Sequence, residues 1–379
     1  MRWRALVGGF ALALSPGWNI ANVGAVARSV ADGYGVALAT VGLLTTALFL
    51  VHAAMQIPAG IVVDRFGARR TGIVAALVLC GANALALARP SLALGLTARA
   101  LAGVGIGLGF VAGSDYIRAS GGSAAAQGLY GGAAVGGGGL ALAVVPLLGN
   151  GLGWRAPFAS AAVLAAASAT VLALAPSAPR RTSDDVGARI GSVLGDRLLY
   201  RLSAIHTASF GFSAVVGNWV VTRLEDAGAG SEAAGALGAS TLAAGLVTRP
   251  LGGSLVRRYP DRSRALVAWS LAVGALATLA LAFPAPVPVL GLACLVLGLA
   301  AGIPFAPAFA GAQRARPDAP GAAIGLVNTW AAFAIVVGTP LLGLTFSLSE
   351  EGRIGFAAVA TLWAASLLVL PPQRALAGR

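Results

Sequence analysis

A chain of 379 residues with 58% hydrophobic residues, only 10% charged ones and a mean hydropathy of +0.84 lacks the polar cover that a water-soluble globule needs. Its formal charge of +13 would suggest a nucleic-acid partner in a soluble protein, but the basic residues, all arginine, are spread between apolar stretches, which excludes that class. Two distant cysteines, Cys80 and Cys294, give no disulfide framework, and no spacing of His, Cys, Asp or Glu spells a metal site, so neither metal nor cofactor is expected.

Apolar segments of about 20 residues, the length that crosses about 30 Å of hydrocarbon as a helix, recur from end to end. They predict twelve transmembrane helices, at 5–27, 38–63, 71–88, 92–115, 124–148, 156–175, 201–222, 234–256, 264–283, 287–311, 321–345 and 354–372. With the N-terminus inside, nineteen arginines fall in inner segments and five (Arg28, Arg89, Arg155, Arg223 and Arg353) in outer ones. By the positive-inside rule both termini are then cytoplasmic. The two that remain, Arg99 and Arg249, lie within helices.

The first stretch follows Met1-Arg2-Trp3-Arg4 as a signal peptide would, but its length, Pro16 and the spans that follow mark it as an uncleaved first helix. It carries Asn19 and Asn22 on one face, to line a pore or to bond a neighbouring helix. Helix two stacks His52 over Gln56 and runs through Pro58 and Gly60 into Asp64-Arg65-Phe66-Gly67-Ala68-Arg69-Arg70. Helix four opens on Arg99, which either snorkels outward or faces a substrate. Its Gly103, Gly105, Gly107 and Gly109 suit close helix packing; no strand precedes them and no acid follows at dinucleotide-binding spacing. Helix five is richer still in glycine and carries Tyr130.

Residues 176–200 form the longest polar segment and divide the chain into an N-terminal bundle (1–175), a cytoplasmic linker (176–200) and a C-terminal bundle (201–379). About 25 residues bury no core of their own. An internal repeat supports the division: Pro58 and Pro250, Gly60 and Gly252, and Arg65 and Arg257 are each separated by 192 residues. In the second half, helix seven offers His206, Ser209 and Asn218, helix eight Arg249, and helix eleven Asn328 and Trp330. Pro304 and Pro307 break helix ten.

Gly60, Asp64, Arg65 and Gly67 resemble the loop between helices two and three of the major facilitator superfamily. Ala68 stands at the first of that pattern's two basic positions, displacing the pair to Arg69 and Arg70. Arg99 with Gly103 and Gly105, and Trp154-Arg155-Ala156-Pro157-Phe158, are also similar to that family. The resemblance implies an all-α integral membrane fold of two six-helix bundles, with inverted three-helix repeats within each half. It implies a gating role for Gly60, Asp64, Arg65, Gly67 and Arg69, with Arg99 in the helix-four pattern and Asp115 as the acidic partner. Catalytic residues are not expected, and the chain reads as a transporter, not an enzyme.

A midplane guanidinium costs about 2.5–3.5 kcal/mol, so Arg249 reads as a substrate anchor or as a structural arginine bonded to carbonyls. None of the thirteen acids falls at the midplane, and such a lone arginine fits a small anion held by its planar fork. Gln56, Asn22, Tyr130, Asn218, Asn328 and Trp330 are the neutral partners expected with it. Thr248-Arg249-Pro250-Leu251-Gly252-Gly253 and Ser209-Phe210-Gly211 are similar to nitrate/nitrite porters and oxalate- or cyanate-type carriers. In nitrate porters a second arginine stands where this chain has Gln56, which favours a small organic anion at least equally. His52 and His206 are the only groups near the pathway whose unperturbed pKa lies near neutrality and are the candidates for proton coupling; the other reading is a neutral buried histidine. The expectation is therefore a monomeric secondary transporter of a small solute in the inner membrane of a prokaryote, working by alternating access; the alternative is a proton-coupled multidrug exporter. Its partners are a small anion, the lipid bilayer and a coupling proton, with no nucleic acid.

Overall fold

The computed structural model describes residues 3–178, 191–346, 348 and 352–377, and these contain helices and no strand. Residues 179–190, the charged middle of the expected linker, and the acids Glu350 and Glu351 lie outside the described residues. In chain order the helices are α1 (Trp3–Ala21), α2 (Ala27–Tyr34), α3 (Leu38–Phe66), α4 (Ala68–Leu87), α5 (Leu92–Ala119), α6 (Ala124–Leu152), α7 (Ala156–Leu174) and α8 (Arg197–His206). They continue with α9 (Ser213–Asp226), α10 (Ser231–Arg258), α11 (Ser263–Ala280), α12 (Val287–Gly302), α13 (Phe305–Ala315), α14 (Pro320–Thr345), α15 (Arg353–Ala365) and α16 (Gln373–Ala377). Eight stretches of the described residues are long and apolar enough to cross a membrane. One of them, Ala124–Leu174, contains α6 and α7, and another, Val287–Ala315, contains α12 and α13, parted at Pro304.

The chain forms two compact units. Unit 1 takes in Met1–Gly122, Ala133–Gly191 and Asp318–Gly325; unit 2 takes in Ser123–Gly132, Ser192–Pro317 and Leu326–Arg379. The first turns of α6 thus belong to unit 2, and those of α14 to unit 1.

In unit 1, α5 is the central helix, packed against α3 and α4, while α7 lies on α4. Small residues permit this. A Cβ on Gly103 would meet the Leu48 carbonyl at 2.5 Å, so α3 and α5 touch backbone to backbone. In hydrocarbon such close packing, with interhelical hydrogen bonds, is what holds helices together, because lipid tails solvate leucine as well as a protein core does. In unit 2, α12 packs against α10 and α11, and α15 against α11.

A π-helical turn, Thr207–Phe212, joins α8 to α9. Widening a helix misaligns its carbonyls, and serines take them up: the Ser213 hydroxyl reaches the Ser209 and Phe210 carbonyls at 2.7 and 3.0 Å. Ser209 in turn donates to Ala301 of α12.

Helix C-termini leave their last carbonyls unsatisfied, and arginines from neighbouring helices fill several of them. Arg69 donates to Leu172 (3.0 Å) and Ala173 at the end of α7, and Arg201 to Val369 (3.1 Å) and Leu370 just beyond α15. Arg223 donates to Leu281 (3.0 Å) and Phe283 (2.9 Å) past the end of α11, and Arg353 to Ala282 (2.8 Å). The guanidinium fork spans two carbonyls at once, and its charge complements the negative end of the helix dipole.

Candidate functional site

Three arginines are buried among the described residues: Arg99, Arg223 and Arg249. Arg223 is the helix-end cap described above. Arg99, 1% exposed, donates to the Asn19 carbonyl (2.8 Å), the Asn22 side-chain oxygen (3.3 Å) and the Leu44 carbonyl (3.4 Å). It does not snorkel to the outside. Asn83 extends this network by donating to the Asn19 side chain at 2.8 Å, and Asn22 donates to the Pro157 carbonyl at 2.8 Å. Arg99, Asn19, Asn22 and Asn83 therefore tie α1, α3, α4, α5 and the start of α7 into unit 1. Sequence reading missed Asn83, although an amide within helix three carries the same cost as the two in helix one.

Arg249 is held differently. Among the described residues its one side-chain hydrogen bond is from Nη1 to the Gly131 carbonyl at 2.7 Å, and its guanidinium carbon lies 4.6 Å from the Phe305 ring centre and 5.6 Å from that of Phe210. Among the described residues it has no acidic partner. Cation–π contacts of this kind contribute about 2 kcal/mol where water is excluded. The approach to Gly131 depends on glycine at Gly128 and Gly132, where α6 runs against Arg249, Pro250 and Leu246 of α10.

The two rings lead to a second polar group. Phe210 and Phe305 each lie 5.6 Å from His206, and Phe309 lies 4.7 Å from it. His206 is fully buried, and its Nε2 is 3.0 Å from the Asn328 side-chain oxygen. An amide oxygen only accepts, so Nε2 carries the proton; the Nδ1 is buried with no hydrogen-bond partner. The expected residues Arg249, His206 and Asn328 are thus gathered in unit 2, with the buried Tyr130 next to Gly131 in sequence. The phenylalanines that unite them were not singled out in sequence, where aromatic residues in an apolar helix carry no mark. Gln127 and Gln313, buried and bonded at 3.1 Å, were also missed.

Other expected residues lie elsewhere. Asn218 bonds Thr339 at 3.2 Å, and Trp330 is 44% exposed, its ring beside Tyr200 and Phe333. In unit 1, the Gln56 amide lies 3.1 Å from the His52 ring nitrogens and donates to the His52 carbonyl at 2.9 Å, with both residues buried.

At the end of α3, Asp64 accepts hydrogen bonds from the Gly321 and Ala322 amides, each at 2.9 Å, in the first turn of α14. A carboxylate there meets both the free amides and the positive end of the helix dipole. Gly60, one turn earlier on α3, faces the Gly321 and Ala322 backbone so closely that a Cβ has no room. Gly67 takes a φ of +86°, which glycine adopts without strain, to turn the chain into α4. Arg65 lies over the ring of Phe66 at 5.4 Å. Asp115 is paired with Arg118 at 2.6 Å, and Arg69 is committed to the end of α7.

Residues 8–339 match the family model of the Major Facilitator Superfamily. No curated protein matches the sequence. Among solved structures, the human organic anion transporter MFSD10 (TETRAN) is similar with a TM-score of 0.75 at 16% identity, covering 97% of this chain and 98% of its own. The proton:xylose symporter XylE bound to 6-bromo-6-deoxy-D-glucose is similar with a TM-score of 0.76 at 15% identity, over 97% and 94% of the two chains. The E. coli fucose:proton symporter FucP is similar with a TM-score of 0.75 at 15% identity, over 96% and 98%. With the family pattern matched from the first helix into the last third of the chain, the protein belongs to the major facilitator superfamily, as a multi-pass membrane transporter and not an enzyme.

Proposed function

We propose that this transporter moves a small organic or inorganic anion by alternating access, with Arg249 as the anchor. The observation that carries this reading is the contrast between the two core arginines. Arg99 spends its donors on three neutral oxygens, whereas Arg249 has one carbonyl, two aromatic rings and, among the described residues, no carboxylate. A guanidinium that gives the protein one hydrogen bond keeps further N–H donors for a ligand. Gln56 stands where a two-arginine clamp would place the second charge, and it is bonded to His52. One fixed positive charge suits a monoanion, and Asn328 and Tyr130 are the neutral donors assigned to it. The fold accommodates such cargo, since a transporter of organic anions shares it. The same reading makes the protein a monomer with twelve crossings in the cytoplasmic membrane of a prokaryote, termini inside.

Thermal unfolding of the detergent-solubilised protein tests the substrate class. Small monoanions such as acetate, lactate and nitrate are expected to raise the unfolding temperature, as a ligand at about 100 times its Kd stabilises by about 2.7 kcal/mol. Stabilisation by a sugar or a lipophilic cation and by no anion would refute the anion reading.

Proton coupling is assigned to His206, which shares Phe210 and Phe305 with Arg249, and to His52. Uptake into proteoliposomes is expected to rise as the outside pH falls from 8 to 6, and to lose that dependence in the His52→Gln, His206→Gln double variant. Unchanged pH dependence in the double variant removes both histidines from the coupling path.

A further inference from the structure

Five arginines are gathered at one end of unit 2. Arg257 and Arg258 end α10, Arg262 closes the 3₁₀ turn Pro260–Arg262, Arg264 lies in the first turn of α11, and Arg374 belongs to the short helix α16, which packs on that turn. All five are exposed. The span Pro260–Ala280 is long and apolar enough to cross a membrane, so this end of α11 stands at the membrane surface.

The fold pins these segments together. The Arg264 backbone amide donates to the Gln373 side-chain oxygen at 3.0 Å, across 109 residues, and the Gln373 side-chain amide donates to the Pro260 carbonyl. The Ser263 hydroxyl donates to the same carbonyl at 2.8 Å. Arg314 of α13 donates to the Ala375 carbonyl at 3.0 Å, and Leu376 is 1% exposed, so α16 is held in place and Arg374 with it. Like charges brought together repel, and one acid, Asp261, stands in the turn among them. Elsewhere Arg69, Arg201, Arg223 and Arg353 spend their donors on helix ends. Among the described residues, the side chains of Arg257, Arg258, Arg262, Arg264 and Arg374 donate to no carbonyl and pair with no carboxylate; Arg258 lies 5.7 Å from the ring centre of Tyr259. Water hydrates each guanidinium singly but leaves the excess of positive charge in place, whereas an anion between the turn and α16 cancels it.

We infer that this surface binds the headgroup of an anionic phospholipid. The phosphate accepts from guanidiniums of the turn and of α16 together, at the depth where the protein meets lipid headgroups, and the acyl chains lie along α11. The assignment is independent of what the transporter carries.

Trp269, 73% exposed, lies on α11 about 9 Å along the axis from Ser263 and serves as the reporter, because bromine quenches indole fluorescence on contact. The protein is reconstituted in vesicles of phosphatidylglycerol and phosphatidylcholine in which one lipid or the other carries dibrominated acyl chains, and the Trp269→Phe variant defines the signal of that one residue. Phosphatidylglycerol is expected to quench Trp269 at a proportion at least about tenfold lower than phosphatidylcholine, each engaged arginine supplying about fivefold. Arg374→Gln should cut this preference about fivefold. Gln373→Ala, which removes no charge but unpins α16, should cut it as much, whereas Arg70→Gln, at an exposed arginine in the first turn of α4, should leave it unchanged. Equal quenching by the two lipids, a preference that survives Arg374→Gln and Gln373→Ala, or an equal loss in Arg70→Gln would overturn the inference. Relief of the quenching by millimolar inorganic phosphate at constant ionic strength would also overturn it, by making soluble phosphate the ligand.

Discussion

Replacing Arg249 by alanine is expected to reduce transport in proteoliposomes by at least about thirtyfold, since losing one partner of a buried charge-assisted contact costs about 2–5 kcal/mol. Arg249→Lys should fail nearly as badly. A lysine ammonium keeps the charge but loses the planar fork that lies near Phe305 and Phe210 and reaches the Gly131 carbonyl while presenting further donors. Both variants should reach the membrane and elute as the parent does, because no carboxylate among the described residues would be left unpaired. Anion-dependent thermal stabilisation should vanish with transport. Full transport by Arg249→Ala would make the arginine structural and remove the basis of the anion reading.

The second large effect is expected at Asp64. Removing its carboxylate in Asp64→Ala frees the Gly321 and Ala322 amides, two hydrogen bonds to a charged group at about 1.5–3 kcal/mol each. Hydrogen exchange across residues 318–328 should accelerate by more than tenfold, and transport should fall by a comparable factor if this contact sets the balance between conformations. Asp64→Asn keeps one acceptor oxygen and is expected to fall between the two. Unchanged exchange in Asp64→Ala would mean that the first turn of α14 is held by Gly60 packing alone.

These two sites were legible in the sequence to different depths. Charge in an apolar segment is costly wherever it occurs, so Arg99, Arg249 and the loop around Asp64 stood out without coordinates. What each charge does was not written there, because it depends on residues distant in sequence. Arg99 and Arg249 look equivalent in a one-dimensional scan, and only the positions of Asn19, Asn22 and Leu44 in one case, and of Phe210, Phe305 and Gly131 in the other, separate them. Asn218 and Trp330 have the chemistry of ligand contacts but bond or face elsewhere, since side-chain type does not fix which face of a helix points inward. The π-helical turn had no sequence signal that was read, though two serines four apart, Ser209 and Ser213, supply the hydroxyls that stabilise it.

The arginine caps on helix ends have a consequence for how the protein is made. Arg69 grips the end of α7, 103 residues further on, and Arg201 grips a carbonyl 168 residues away, beyond α15. A nascent chain leaving the ribosome cannot close either latch until the last helix of that half has crossed the bilayer. Until then the guanidinium must find other partners, water among them. Each half is therefore latched last by its own final helix: a chain stopped short of residue 172 or residue 369 lacks the carbonyl that Arg69 or Arg201 caps.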